Sequence, residues 1–104
     1  MGLAVYWTAF AEERLKDIFD YYDVTANRSV ADGVVNELIE KSMLLEKNPR
    51  MGQRESLLSH RPQEFRYLVC NHHKIIYWID KLHGCVYVAH VFDCRQNPTK
   101  MMEV

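Results

Sequence analysis

The chain has 104 residues, enough for one domain spanning 1–104 that buries roughly 60 to 68% of the surface its unfolded form would expose, so a core can close without disulfides. Its three cysteines, at 70, 85 and 94, are odd in number and form no Cys-x-x-Cys pair, which disfavours a disulfide scaffold or a zinc ribbon and fits a reducing, cytoplasmic compartment. A net charge of −1 argues against wrapping nucleic acid through a large basic surface, although the charge is uneven: residues 1–46 carry four basic and nine acidic side chains, residues 47–104 nine basic and five acidic.

In chain order, the apolar start lacks a basic flank and meets charge within about seven residues, too short for a membrane span or a signal peptide. Ala4 to Trp7 reads as a short strand ending at Thr8, a good N-cap. A first helix is expected over Ala9–Asp23, because Ala11, Leu15, Ile18, Phe19 and Tyr22 fall on one stripe. Ser29 followed by Asp32 resembles a capping box for a second helix over Val30–Glu46, whose Ala31, Val34, Val35, Leu38, Ser42 and Leu45 share a face. Gly33 inside it suggests close approach of a neighbour, and Asn48-Pro49 ends it. The short break makes the two helices an antiparallel hairpin.

Residues 49–64 form a polar, basic loop carrying Arg50, Arg54, His60 and Arg61, with Leu57-Leu58 as an apolar anchor. Three runs rich in β-branched and aromatic residues follow: Phe65–Cys70, Lys74–Asp80 and Val86–Phe92. Asn71-His72-His73 and Lys81-Leu82-His83-Gly84 serve as turns, Gly84 at positive φ. Both faces of the strands are apolar, so one packs on the helices and the other is partly exposed or covered by a partner. The expected fold class is α+β, with order β-α-α-β-β-β and a helix hairpin on a mainly antiparallel sheet.

The short strand, the helix hairpin with its Tyr21-Tyr22 end, Asn48-Pro49, the basic loop, Phe65-Arg66-Tyr67-Leu68-Val69, Lys74 to Asp80 and the closing Val91-Phe92-Asp93-Cys94-Arg95-Gln96-Asn97-Pro98 together resemble the RelE/ParE superfamily of type II toxin-antitoxin toxins. The likeness covers nearly the whole chain and leans toward the ParE-like, plasmid-stabilisation branch. It implies a bacterial toxin neutralised by a cognate antitoxin whose flexible, acidic segment folds as it binds, giving a hetero-oligomer. ParE-like members poison DNA gyrase; RelE-like members are metal-independent, ribosome-dependent endoribonucleases acting on mRNA; a third possibility is an inactive or repurposed binding module. No cofactor, metal or membrane is implied.

As a ribonuclease, the chain would set Arg66 and Arg95 around a scissile phosphate, with His60, Arg54 or Arg61 adding charge. The acid and base are missing from the expected place, since the tail after Arg95 holds neither tyrosine nor histidine. A pI near 6.5 is also low for ribosome binding. The gyrase reading instead gives Arg54, Arg61, Arg66, Trp78, Arg95, Gln96, Asn97 and Pro98 to contacts with target or antitoxin. Arg66 could equally be an ordinary cross-strand ion pair with Asp93, Asp80 or another sheet carboxylate. His72, His73, His83 and His90 read as structural or solvent-facing rather than metal ligands, and the cysteines as small hydrophobes.

Overall fold

The computed structural model describes residues 2–103. The elements run β1 Ala4–Trp7, α1 Ala9–Thr25, α2 Arg28–Met43, a 3-10 turn at Leu44–Glu46, β2 Gln53–Arg54, a 3-10 turn at Ser56–Leu58, β3 Arg66–Cys70, β4 His73–Asp80, β5 Cys85–Asp93 and a 3-10 turn at Pro98–Glu103. The sheet order is β1-β5-β4-β3-β2. β1 lies parallel to β5, and the other neighbours are antiparallel. The mainly antiparallel α+β expectation holds, with β2 as an additional two-residue edge strand inside what read as a loop. Gln53 and Arg54 carry no apolar alternation, so only their pairing with Tyr67 and Arg66 reveals them.

Thr8 caps α1 as expected, its side chain accepting the Ala11 amide at 3.1 Å. The helix runs on to Thr25, whose hydroxyl donates to the Tyr21 carbonyl at 2.8 Å. α2 therefore starts earlier than the expected capping box: Asn27, in extended conformation, accepts the Val30 amide at 2.9 Å, and Ser29 is already helical. Nothing lies within 4 Å of where a Gly33 side chain would begin, so the close neighbour inferred there is absent. His73 belongs to β4 rather than to the turn and is buried; Asn71, at φ 57°, takes the left-handed position in that turn, as Gly84 does at φ 64° in the next.

Two apolar clusters sandwich the sheet. On the helix side Ala11 and Leu38 meet Leu68, Ile75, Tyr77, Val86, Val88 and Val91. On the other side the chain covers itself, with Leu58 from one 3-10 turn and Met101 from the last closing over Phe65, Ile76, Ala89 and Phe92. The second face thus needs no partner along most of its length. Toward β1 it stays partly open, where Trp78 and Tyr87 have ring centroids 5.1 Å apart and Tyr87 lies 6.0 Å from Tyr6.

Candidate functional site

Arg66 sits at the start of β3, opposite Tyr77 of β4. Its guanidinium donates to the Gly52 carbonyl at 2.8 Å and pairs with Glu64 at 3.1 Å, leaving its side chain 16% exposed. Neither Asp93 nor Asp80 is its partner: Asp93 holds Arg95 at 2.7 Å and Asp80 holds His83 at 2.7 Å, so the expected cross-strand pairs are replaced by one with Glu64. Glu64 also accepts from Arg54 and lies 4.0 Å from Arg50. The bond from Arg54, reinforced by Arg66, holds the Glu64 carboxyl below its usual range. Three guanidiniums thus gather on one carboxylate at the β2 edge.

The Tyr77 hydroxyl, buried on the helix side, donates to the Pro49 carbonyl at 2.7 Å and accepts the Gly52 amide at 3.0 Å, fixing the loop that delivers Arg50 and Arg54. His60 and Arg61, beyond the Ser56–Leu58 turn, contact each other at 3.4 Å.

A second locus surrounds Arg95. A cleft of about 520 Å³ opens between α1 and the end of β5, lined among others by Arg14, Tyr22, His73, His90, Asp93 and Arg95. Arg95 folds back on Asp93 through Nη2 at 2.7 Å, Nε at 3.0 Å and its own amide at 2.9 Å. That bond pulls the Asp93 carboxyl down to about 2 and raises the guanidinium. Burial holds the His73 imidazole below its ordinary range. Tyr22 shares a 3.0 Å hydrogen bond with His72, and His90 meets the Phe10 ring edge-on at 5.1 Å.

Three titratable groups from other elements line the cleft with Arg95: Tyr22 from α1, His73 from β4 and His90 from β5. They lie upstream on three different elements, so no local sequence pattern links them to Arg95. Gln96 and Lys100 also line the cleft, whereas Asn97 builds the last turn, its side chain accepting the Thr99 amide at 3.1 Å, and Pro98 begins that turn.

The two arginines do not converge. Arg66 lies level with Tyr77, and Asp93 beside Arg95 lies level with His73, four residues along β4. At about 3.3 Å per residue this offset is roughly 13 Å, to which the two strand spacings of ~5 Å between β3 and β5 add. In this register the two backbones stand apart, and each guanidinium is held by its own carboxylate, Arg66 by Glu64 and Arg95 by Asp93. Trp78 occupies a third place, in the aromatic row with Tyr87 and Tyr6 on the face away from the helices, where Tyr6 is 54% exposed. Among the described residues no three His, Cys, Asp or Glu side chains group as a metal site requires. No helix among them is long and apolar enough to cross a membrane.

A sequence profile described as the ParE toxin of type II toxin-antitoxin system, parDE, matches residues 5–98. Among solved structures, the chain is similar to one from a chromosomal ParDE toxin-antitoxin system of P. aeruginosa, with a TM-score of 0.73 and 18% identity over 88% of this chain and 95% of that one. It is also similar to the toxin-antitoxin complex RelBE2 of Mycobacterium tuberculosis, with a TM-score of 0.62 and 18% identity over 89% and 99% of the two chains. A search of curated protein sequences finds no match.

Proposed function

The chain belongs to the ParE toxin family of type II toxin-antitoxin systems, and from that premise we propose that it inhibits DNA gyrase in the cytoplasm and is neutralised by a cognate antitoxin. The observation that carries the reading is the separation of the two arginines. A metal-independent ribonuclease needs cations converging on one phosphorane, with acid and base beside it. Here Arg66 is committed to Glu64 and the Gly52 carbonyl, Arg95 is committed to Asp93, and the β4 register keeps them apart. A net charge of −1 also supplies little of the phosphate attraction that ribosome binding draws on. Arginines paired with carboxylates on the chain's own surface, and a separate partly open aromatic row of Tyr6, Tyr87 and Trp78, suit a protein that works by occupying a partner. The antitoxin is inferred from the two structural relatives, one from a ParDE toxin-antitoxin system and the other the toxin-antitoxin complex RelBE2.

The ribonuclease is the second reading, favoured by one observation: Tyr22, His73 and His90 line the same cleft as Arg95. A supercoiling assay with purified gyrase and the purified chain separates the two. Loss of supercoiling with accumulation of cleaved DNA is expected. Intact gyrase activity, together with mRNA cut only when ribosomes are present, would overturn the reading in favour of the ribonuclease.

A further inference from the structure

We propose that the chain pairs with a second copy of itself through the outer edge of β1, the two β1 strands lying antiparallel about a two-fold axis at Tyr6. The inference goes beyond the toxin reading and holds whichever target the chain acts on.

Among the described residues β1 pairs only with β5 and ends the sheet. The main-chain groups of a strand point alternately to its two sides. The Thr8 amide donates to the Val88 carbonyl of β5 at 3.0 Å, whereas the Leu3 amide donates the other way, to the Glu46 carbonyl at 2.8 Å. Tyr6 therefore shares the side of Thr8, and Val5 and Trp7 share the side of Leu3, so the amides and carbonyls of Val5 and Trp7 face outward from the sheet. Glu46 closes that edge at Leu3 and α1 begins at Ala9, which leaves Val5 to Trp7 as the stretch another strand can join.

That stretch fits a copy of itself. With Tyr6 opposite Tyr6 of the second copy, Val5 falls opposite Trp7, and each Val5–Trp7 pair exchanges both of its amide-to-carbonyl hydrogen bonds. Tyr6 then takes the position between them, where facing side chains come closest. It is 54% exposed, and its ring ends a row that continues to Tyr87 at 6.0 Å and from Tyr87 to Trp78 at 5.1 Å. The two-fold axis joins the rows of both copies into one aromatic strip.

Charge selects a copy over an ionic partner. Ala4, Val5, Tyr6 and Trp7 are uncharged, as are Trp78 and Tyr87, so the strip holds nothing for an acidic or basic segment, and a net charge of −1 gives two copies little to repel. The opposite edge differs: β2 has two residues and carries Arg54 paired with Glu64, and short, charged edge strands resist joining. The contact at β1 is small. A pairing of about three residues with their tyrosines buries less than the ~1,200 Å² of a standard interface, so the dimer is weak and forms as concentration rises.

Sedimentation equilibrium of the purified full-length chain from about 20 μM to about 1 mM should show the average mass rising toward two copies, with amide shifts concentrated at Val5, Tyr6 and Trp7 over the same range. Tyr6→Lys sets two ammonium groups face to face across the axis, and Tyr6→Glu two carboxylates, so each variant alone should stay monomeric at low salt while keeping the circular dichroism of the parent. Mixing the two variants sets Lys against Glu and should strengthen association severalfold over either alone. That rescue requires residue 6 of one copy to face residue 6 of the other.

A chain that stays monomeric throughout overturns the proposal. So do dimers that survive in Tyr6→Lys, that fail to return in the mixture, or that shift the amides of Gln53 and Arg54 at the opposite edge instead. A monomer whose β1 amides shift only when gyrase is added also overturns it and gives the edge to that protein.

Discussion

The Tyr77 hydroxyl donates to the Pro49 carbonyl oxygen across 28 residues of sequence, at 2.7 Å, from a side chain with no exposed surface. The Tyr77 hydroxyl oxygen in turn accepts the Gly52 amide at 3.0 Å, so one phenol on a central strand closes the loop leading into β2. Tyr77→Phe keeps the ring and removes both bonds, leaving Pro49 and Gly52 to find water. The expected cost is about 1–3 kcal/mol, read as a lower melting temperature. A variant that melts with the parent would show that the phenol does not fix the loop.

Two glycine-to-alanine changes should move stability in opposite directions. A Cβ on Gly52 would lie 2.6 Å from the Tyr67 carbonyl and 2.6 Å from the Tyr77 hydroxyl, so the backbone must shift and β2 must part from β3. Such overpacking costs about 1–3 kcal/mol. Gly33 lies inside α2 with nothing within 4 Å of a Cβ, and alanine there should stabilise by ~0.5–1 kcal/mol through helix propensity and a less flexible unfolded chain. Denaturant melts of the two single variants measure both. Loss of stability in Gly33→Ala would restore the close neighbour that the sequence suggested.

That contrast marks where the sequence was legible. β1, the Thr8 cap, the helix stripe of Ala11, Leu15 and Ile18, and the alternation in β3 to β5 follow from local periodicity, which burial on one face imposes directly. β2 has no such signature, because Gln53 and Arg54 are strand residues only by virtue of Tyr67 and Arg66 opposite them. Asn27 and Ser29 are both good caps, and the choice between them depends on where α1 runs out. The site was harder still. Arg66 can be read as one half of an ion pair, but Glu64, two positions before it and outside β3, gives no periodic cue that it is the partner. The cleft at Arg95 joins Tyr22 to His90 across the helix-sheet boundary, a proximity that only the packed fold creates.

Acid should lower the stability of the chain in two stages. Burial lowers the His73 imidazole below its ordinary 6.5, with Asp93 opposing the shift and His72 and Arg95 adding to it. The unfolded chain therefore takes up this proton first, and stability falls as pH drops below about 6.5. Asp93 is held at about 2 against an ordinary 3.8, so its contribution is complete above about pH 4 and is lost as pH falls through about 2. Arg95→Gln should return the Asp93 carboxyl toward 3.8 and erase most of the lower stage, while easing the upper one only slightly because burial is the larger cause at His73. Carboxyl titration by NMR, with unfolding free energy measured against pH, checks both; an unshifted Asp93 in that variant would remove Arg95 as the cause.

The ion pair under the outer face should behave asymmetrically. Glu55 has a 3% exposed side chain, accepts the Leu57 amide at 3.3 Å and receives Lys74 at 3.0 Å, while the Lys74 ammonium sits 4.1 Å from the Tyr67 ring centroid. Lys74→Met strands a carboxylate beside the cluster of Leu58, Phe65 and Phe92, and breaking a buried pair from that side costs about 3–5 kcal/mol. Glu55→Gln keeps an acceptor for Leu57 and leaves an ammonium that is 23% exposed and can turn toward water, so its cost should be nearer 1.5–3 kcal/mol. Combining the two changes leaves no unpaired charge, and the double variant should be more stable than the sum of single costs predicts. Denaturation of all four forms closes the cycle. Additive losses would mean that the pair is uncoupled and that Lys74 acts through Tyr67 alone.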